Sequence, residues 1–246
     1  DHADIYGDQR CESLFGEALA LAPELKQKIR LISKADIVTG QRDASRWSVK
    51  HYDTSAEYLR RSVEASLKRL QVERLDLFLL HRPDPLMDVA ETAATIDALV
   101  SEGKVAEVGV SNFLPEQWRL LNGELKSKLR CNQIELSLTH TEALFNGDAE
   151  ALQRDDIQLL AWSPLAGGQL EQGALGERLA EMAALYGCSP TALAIAWLRR
   201  IPGAPVPVLG SFNALRIADA QQGSGMRMSR TDWYALLEAA RGHEVA

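Results

Sequence analysis

Short, almost unbroken apolar runs recur along this chain with amphipathic stretches between them, and that alternation narrows the folds open to it. The runs are KIRLIS, RLDLFLL, KVAEVGV, NQIEL, IQLLAW and APVPVLG. Several are nearly continuous in apolar character, as parallel strands covered on both faces must be. The intervening stretches have helical spacing. After Asp53 and Thr54, read as caps, Leu59, Val63, Leu67 and Leu70 recur along one helix face. Gly103 stands where a helix stops before the strand that begins near Val105. Ser189 and Pro190 open a helix carrying Leu193, Ile195, Ala196 and Trp197. Ser229 and Asp232 match a capping box for a last helix with Trp233, Leu236 and Leu237. One β-then-α grammar, with no linker and no low-complexity segment, predicts an α/β fold with residues 1–246 as a single domain.

Composition removes several function classes. At 246 residues and 46% hydrophobic content the chain can bury one large core. A net charge of -7 without a basic tract argues against a nucleic-acid partner. Cys11, Cys131 and Cys188 lie far apart, with no CxxC spacing and no paired histidines. That pattern predicts a reducing compartment and neither a disulfide nor a metal framework. No apolar run reaches the ~18 residues that cross a bilayer, so no membrane partner is expected and the placement read from sequence is cytoplasmic.

Polar and aromatic groups gather where the strands end. LISK ends on Lys34, FLLH on His81, VGVSN on Ser111 and Asn112, and NQIE carries Gln133. LLAWSPL presents Trp162 and Ser163, and VLGS presents Ser211. In parallel α/β barrels the carboxyl ends of the strands build the active site from several loops at once. Any one of these residues alone reads as a solvated strand end or a structural histidine. Their accumulation on one end of the strands reads as a site. The opening DHADIYG adds Asp1 and Tyr6, which taken alone are ordinary loop polars.

Taken in order, DHADIYG, SK, LLHRPD, GVSNF, NQIE, AWSPLAGG and VLGS resemble the successive signatures of the aldo-keto reductases. The HYDTS and LLHRPDPLMD segments are most similar to a bacterial oxidoreductase branch of that superfamily. The resemblance runs from residue 1 to about 240 and implies a (β/α)8 TIM-type barrel that binds a nicotinamide dinucleotide without a Rossmann domain. Consistently, no G-x-G-x-x-G follows a strand. Such a barrel would need a first β-α unit and most of a second strand upstream, roughly 40 residues. Without them the KIRLIS strand is expected to be an unprotected sheet edge.

By this resemblance the catalytic residues are Asp1, Tyr6, Lys34 and His81. Carbonyl reduction needs a hydride to carbon and a proton to oxygen. A phenol with a pKa of about 10 is a poor acid near neutrality. A nearby Lys34 cation is expected to lower that value and make Tyr6 the proton donor. Asp1 would hold Lys34, and His81 would orient the carbonyl. The resemblance places the nicotinamide carboxamide on Ser111, Asn112 and Gln133, with Trp162 stacked on the ring. It places the pyrophosphate along Ser163, Leu165 and Gly167. GSFNALR is expected to open a short helix, with Gly210, Ser211, Asn213 and Arg216 at the adenosine-phosphate end. Arg216 suits a 2'-phosphate, which favours NADPH and leaves NADH open, because Gly210 and Ala220 depart from the family's common Lys and Asn. His2, Arg82, Phe113, His140 and Phe145 are candidates for the pocket mouth. The implied activity is reduction of aldehydes or ketones to alcohols by a monomer acting on a small carbonyl or alcohol substrate. The alternative is a cofactor-binding regulatory subunit with little turnover.

Overall fold

Which apolar runs become strands is settled by what covers them. The computed structural model describes residues 1–40 and 48–244. The chain divides into two compact units, Asp1–Asn132 and Gln133–Ala246. In the first unit the strands are β1 (Ile32–Ala35), β2 (Ile37–Val38), β3 (His51–Tyr52), β4 (Leu75–Leu80) and β5 (Val105–Ser111). β1, β4 and β5 lie side by side and parallel, with Lys34 beside Leu79 and Leu80 beside Val110. β2 and β3 form a small antiparallel pair that the sequence does not announce. Along the chain, strand β6 (Leu129–Glu135) straddles the division between Asn132 and Gln133.

Helices α1 (Arg10–Leu21), α2 (Ala56–Leu70), α3 (Val89–Ser101) and α4 (Pro115–Glu124) pack the first unit. The spacing in α2 buries Leu59, Val63 and Leu70 as expected, with Leu67 half-buried. Its cap differs from the expectation. Ser55 is the N-cap, its Oγ accepting from the Tyr58 N–H, while Asp53 accepts from the N–H of Ser55. Asp53 thus builds the turn before the cap and leaves the cap itself to Ser55. Past α3, Gly103 turns the chain with φ 74°. Strand β1 begins at Ile32, later than the KIRLIS run, because the first residues of that run turn back onto the 3-10 turn over Pro23–Gln27, the N–H groups of Lys28 and Ile29 both donating to the Leu25 carbonyl. Nor is its edge bare as expected. The N–H groups of His2 and Asp4 donate to the carbonyls of Ile32 and Lys34, so residues 2–4 run along it.

In the second unit, β7 (Gln158–Trp162) and β8 (Val206–Val208) pair in parallel, Trp162 beside Val208. The helices are α5 (Asp148–Arg154), α6 (Gly173–Tyr186), α7 (Pro190–Arg199), α8 (Ala214–Ser224) and α9 (Arg230–Arg241). Ser189 caps α7 ahead of Pro190, and Ser229 caps α9 by accepting from the N–H of Asp232, both as the sequence predicts. α7 and α9 are joined by two tryptophans. Trp197 and Trp233 stack with centroids 5.0 Å apart, and each indole N–H donates to the other's carbonyl. A stacked pair whose polar handles are both satisfied adds to the apolar area it buries. No single helix among the described residues is long and apolar enough to cross a membrane.

Helix α1 meets α2 at backbone distance. A Cβ on Gly16 would lie 2.2 Å from the carbonyl oxygen of Arg69. Helix propensity alone favours Gly16→Ala by about 1 kcal/mol. The close approach opposes it and wins, since overpacking costs roughly 1–3 kcal/mol. Urea unfolding should therefore show Gly16→Ala less stable than the wild type. A gain in stability would contradict this packing.

Candidate active site

Four of the candidate residues converge in the first unit. Lys34 points from β1 into the interior, its side chain 0% exposed. An ammonium there is costly unless every N–H is used. Its Nζ donates to the Asp1 carboxylate at 2.5 Å and to the His2 carbonyl at 2.9 Å. The Tyr6 ring centroid lies 5.1 Å from the same nitrogen. Tyr6 and His81 meet edge to face, with centroids 5.8 Å apart. His81 is placed by β4, whose end is tied to β1 through the His81 N–H and the Ala35 carbonyl, 2.9 Å apart. Tyr6 follows the segment that lies along β1, and its own N–H donates to Ala3. Tyr6 remains 37% exposed, so a substrate can reach its ring.

Burial sets the charge state of each group. It pulls Lys34 down to about 7, against the opposing pull of nearby charges that include Glu12. Cys131, whose own thiol burial pushes up to about 12, is neutral in that range and contributes no charge there. His81 is lowered to about 3, by burial first and then by Lys34, Arg82 and Lys50. Its imidazole is therefore neutral near pH 7 and offers one donor and one acceptor. The Nδ1 of His81 is buried without a hydrogen-bond partner among the described residues. The expected lowering of the Tyr6 pKa is corrected here. Burial raises it, and the charge of Arg82 opposes that rise. The reason is geometric, since Lys34 lies toward the ring of Tyr6 and its ammonium is committed to Asp1 and His2.

Carboxylates that the sequence reading passed over support this arrangement. Asp4 is buried, and its Oδ2 accepts from Ser62 at 2.7 Å and from Tyr58 at 3.3 Å. Burial raises its pKa to about 6. Glu12 of α1 accepts from Ser33 at 2.5 Å and from Arg69 at 2.7 Å. Asp36, two residues beyond Lys34, accepts from the Arg82 N–H. The strand-end pattern that marks Lys34 reaches Asp36 as well. Asp4 and Glu12 carry no such signal, because an acid in a loop or on a helix normally faces water.

The remaining candidates hold distinct local geometry. Ser111 is buried at the end of β5, and the Asn112 side-chain amide donates to its Oγ at 2.8 Å. Asn112 takes a left-handed backbone, φ 60°. In the second unit Gln133 is buried and Trp162 is half-buried at the end of β7. Ser163, Ala166, Gly167 and Gly168 all have positive φ, which folds the chain after β7 into a tight turn. The Leu165 carbonyl accepts from the Gly168 N–H inside it. A Cβ on Gly167 or Gly210 would meet nothing within 4 Å, so the backbone there lies open to a ligand. Ser211 accepts from the N–H of Asn213, and Asn213 caps α8 by accepting from the N–H groups of Leu215 and Arg216. The expected helix thus starts at Ala214, with Asn213 itself satisfying two of the amides offered to phosphate. Arg216 is exposed, and no carboxylate pairs with it among the described residues.

Of the mouth candidates, His2 and Phe113 are buried and Arg82 is half-buried. His140 lies between Glu135 and Glu142, and Phe145 lies under Arg241 at 4.8 Å. No group of three or more His, Cys, Asp or Glu residues among the described residues could hold a metal ion.

A family model described as Aldo/keto reductase family matches residues 1–239. A 6-dehydroglucose reductase of Agrobacterium fabrum is 45% identical over 249 residues, covering 100% of this chain and 84% of the relative. The oxidoreductase YdhF of Escherichia coli is 40% identical over 250 residues, covering 100% of this chain and 83% of the relative. A solved structure of an aldo/keto reductase from Klebsiella pneumoniae, in complex with NADP and acetate, aligns with TM-score 0.81 at 23% identity, over 100% of this chain and 81% of that one. The thermostable aldo-keto reductase Tm1743 with the inhibitor epalrestat gives the same TM-score at 24% identity, over 97% and 81%. The chain belongs to the aldo/keto reductase family and is an oxidoreductase of its bacterial branch, with a TIM-type fold.

The buried lysine carries a stability cost with a definite sign. From an ordinary value near 10.4, its pKa falls to about 7 in the folded chain. Between those values the unfolded lysine binds a proton that the folded one does not, so this group makes stability rise with pH across that window. The shift corresponds to a cost on the order of 4 kcal/mol at pH 7. Lys34→Met should therefore show a smaller rise in stability between pH 7 and pH 10 than the wild type. An unchanged pH slope would contradict the assignment.

Proposed function

We propose that this chain is an NADPH-dependent oxidoreductase that reduces aldehydes or ketones to alcohols, with Tyr6 as the proton donor. The observation that carries the reading is the buried Lys34 ammonium, held by Asp1 and approached by a Tyr6 ring that also meets His81. When bound, the nicotinamide supplies a hydride to the carbonyl carbon. The protein then has to orient the carbonyl and deliver a proton to its oxygen.

The protonation states support that division of labour. Tyr6 keeps its proton at working pH because burial raises its pKa. It gives the proton up only to an oxygen gaining negative charge, as a general acid should. The positive charge of Arg82, which opposes the rise of the Tyr6 pKa, stabilises the phenolate left behind. Neutral His81 can donate a hydrogen bond to the carbonyl oxygen without competing as an acid. Asp1 holds the Lys34 ammonium through the hydrogen bond it accepts, and nearby charges that include Glu12 oppose loss of the lysine proton.

Cofactor binding is assigned to Ser111, Asn112 and Gln133 for the carboxamide, and to Trp162 for the ring face. Ser163, Leu165 and Gly167 are assigned to the pyrophosphate. Gly210, Ser211, Asn213 and Arg216 are assigned to the adenosine phosphate. The open backbone at Gly167 and Gly210 and an exposed Arg216 with no carboxylate partner among the described residues support this. The Klebsiella structure, which shares the fold, holds NADP, and this makes NADPH the cofactor to test before NADH. The relative named for 6-dehydroglucose makes that aldehyde the first substrate to assay. We read residues 1–246 as one domain, supported by a single family model over 1–239. The protein is taken to act as a cytoplasmic monomer, a reading supported by its three free cysteines only as to compartment.

NADPH oxidation should be measurable with several aldehydes. Tyr6→Phe should lower kcat by at least about 100-fold, the scale of a lost general acid, and leave NADPH binding within twofold. The rate should fall as pH rises through about 7, where Lys34 loses its charge and with it the ion pair to Asp1 in the segment that carries Tyr6. A Tyr6→Phe enzyme at the wild-type rate would contradict the assignment. Binding of NADPH with no turnover of any carbonyl would favour a regulatory subunit instead.

A further inference from the structure

The loop after β1 contains a feature that the reduction chemistry leaves unused. Asp36 is fully buried, and its backbone sits at φ 114°, in the left-handed region that favours glycine. Its carboxylate oxygens lie 3.0 and 3.1 Å from the backbone N–H of Arg82. Its own carbonyl accepts from the N–H of Asp53 at 2.8 Å. The N–H of His81, one residue earlier, is already held by the Ala35 carbonyl at 2.9 Å. Strands β1 and β4 pair through Ala35 and Leu80 and no further. The Arg82 N–H is therefore the first group past the end of the ladder, and Asp36 extends the ladder to it with a side chain.

A glycine would fit this backbone without strain, and an uncharged residue would be simpler to bury. Strain and a buried acid at one position persist only where the surroundings over-determine them, and such positions gather at functional sites. What Asp36 fixes is the residue next to His81, on the strand end nearest Lys34.

We propose that Asp36 is a positioning residue, whose carboxylate clamps the Arg82 backbone and so holds His81 in register with Lys34 and Tyr6. It touches none of the reacting atoms and works through His81. The inference rests on the assignment of His81 and Tyr6 given above.

The test is a double-mutant cycle read in kcat, with NADPH affinity and circular dichroism followed in each variant. Asp36→Gly removes the clamp and relieves the backbone. It should lower kcat by about 100-fold, the scale expected of a misplacement near 1 Å, with the Kd for NADPH within twofold of the wild type. Asp36→Asn keeps an oxygen able to accept from Arg82, and it should retain at least a third of the wild-type kcat. In a His81→Ala background Asp36→Gly should cost almost nothing further, because residues acting as a unit are not additive. A merely structural role would instead lower stability and leave kcat per folded molecule intact. The same fold-loss in both backgrounds would overturn the proposal, as would a wild-type kcat in Asp36→Gly. If Asp36→Gly does not fold, Asp36→Asn decides in its place: a kcat below a third of the wild type with NADPH affinity retained overturns the proposal. Tyr6→Phe, run alongside, separates two failures. If Tyr6→Phe is as active as the wild type, the assignment of the reacting groups falls and this inference with it. If Tyr6→Phe is inactive and Asp36→Gly is unimpaired, only this inference falls.

Discussion

A lysine ammonium with no exposed side-chain surface has to be answered from within, and much of the first unit is arranged around Lys34 to do so. Asp1 and the His2 carbonyl accept two of its N–H groups. Both belong to a segment fastened along β1 by backbone hydrogen bonds. That fastening also brings Tyr6 to the lysine. The ion pair and the position of the phenol are therefore one structural event. The pair is a weak source of stability, because desolvation can exceed the Coulombic gain, and its value lies in the chemistry it permits.

The surrounding acids extend the same logic outward. Asp4 anchors the segment between Asp1 and Tyr6 to α2 through Ser62 and Tyr58. Glu12 links α1 to β1 and α2 through Ser33 and Arg69. Three strand ends also carry backbone strain. Asp36, Asn112 and Ser163 all hold positive φ without being glycine, at a cost of order 1–3 kcal/mol each. The stacked tryptophans of α7 and α9 and the close contact of α1 with α2 lie elsewhere and favour the fold itself.

The strands and helices were legible because burial on both faces leaves a plain apolar signature. β4 and β5 fall within a residue of their runs, and Ser189 and Ser229 cap the helices their sequence context indicates. The β2–β3 pair was not legible, since two-residue strands of mixed polarity carry no period. The start of β1 was displaced because Lys28 and Arg30 interrupt its apolar run and a 3-10 turn precedes it. Among candidate site residues, the strand-end groups stood out by position. The raised pKa of Tyr6 could not be read from sequence, because it depends on burial and on where the Lys34 hydrogen bonds go. Asp4 and Glu12 were equally invisible, since their partners lie 20 to 60 residues away in the chain, as Ser33, Arg69, Tyr58 and Ser62.

The most direct test of this account is the titration of Lys34 itself, followed by the nitrogen chemical shift of its labelled side chain with Lys34→Met as the assignment control. A midpoint near 7 is expected in the folded protein. A midpoint near 10.4, the value of an ordinary lysine, would show that the ammonium is neither buried nor coupled to the Tyr6 chemistry as described.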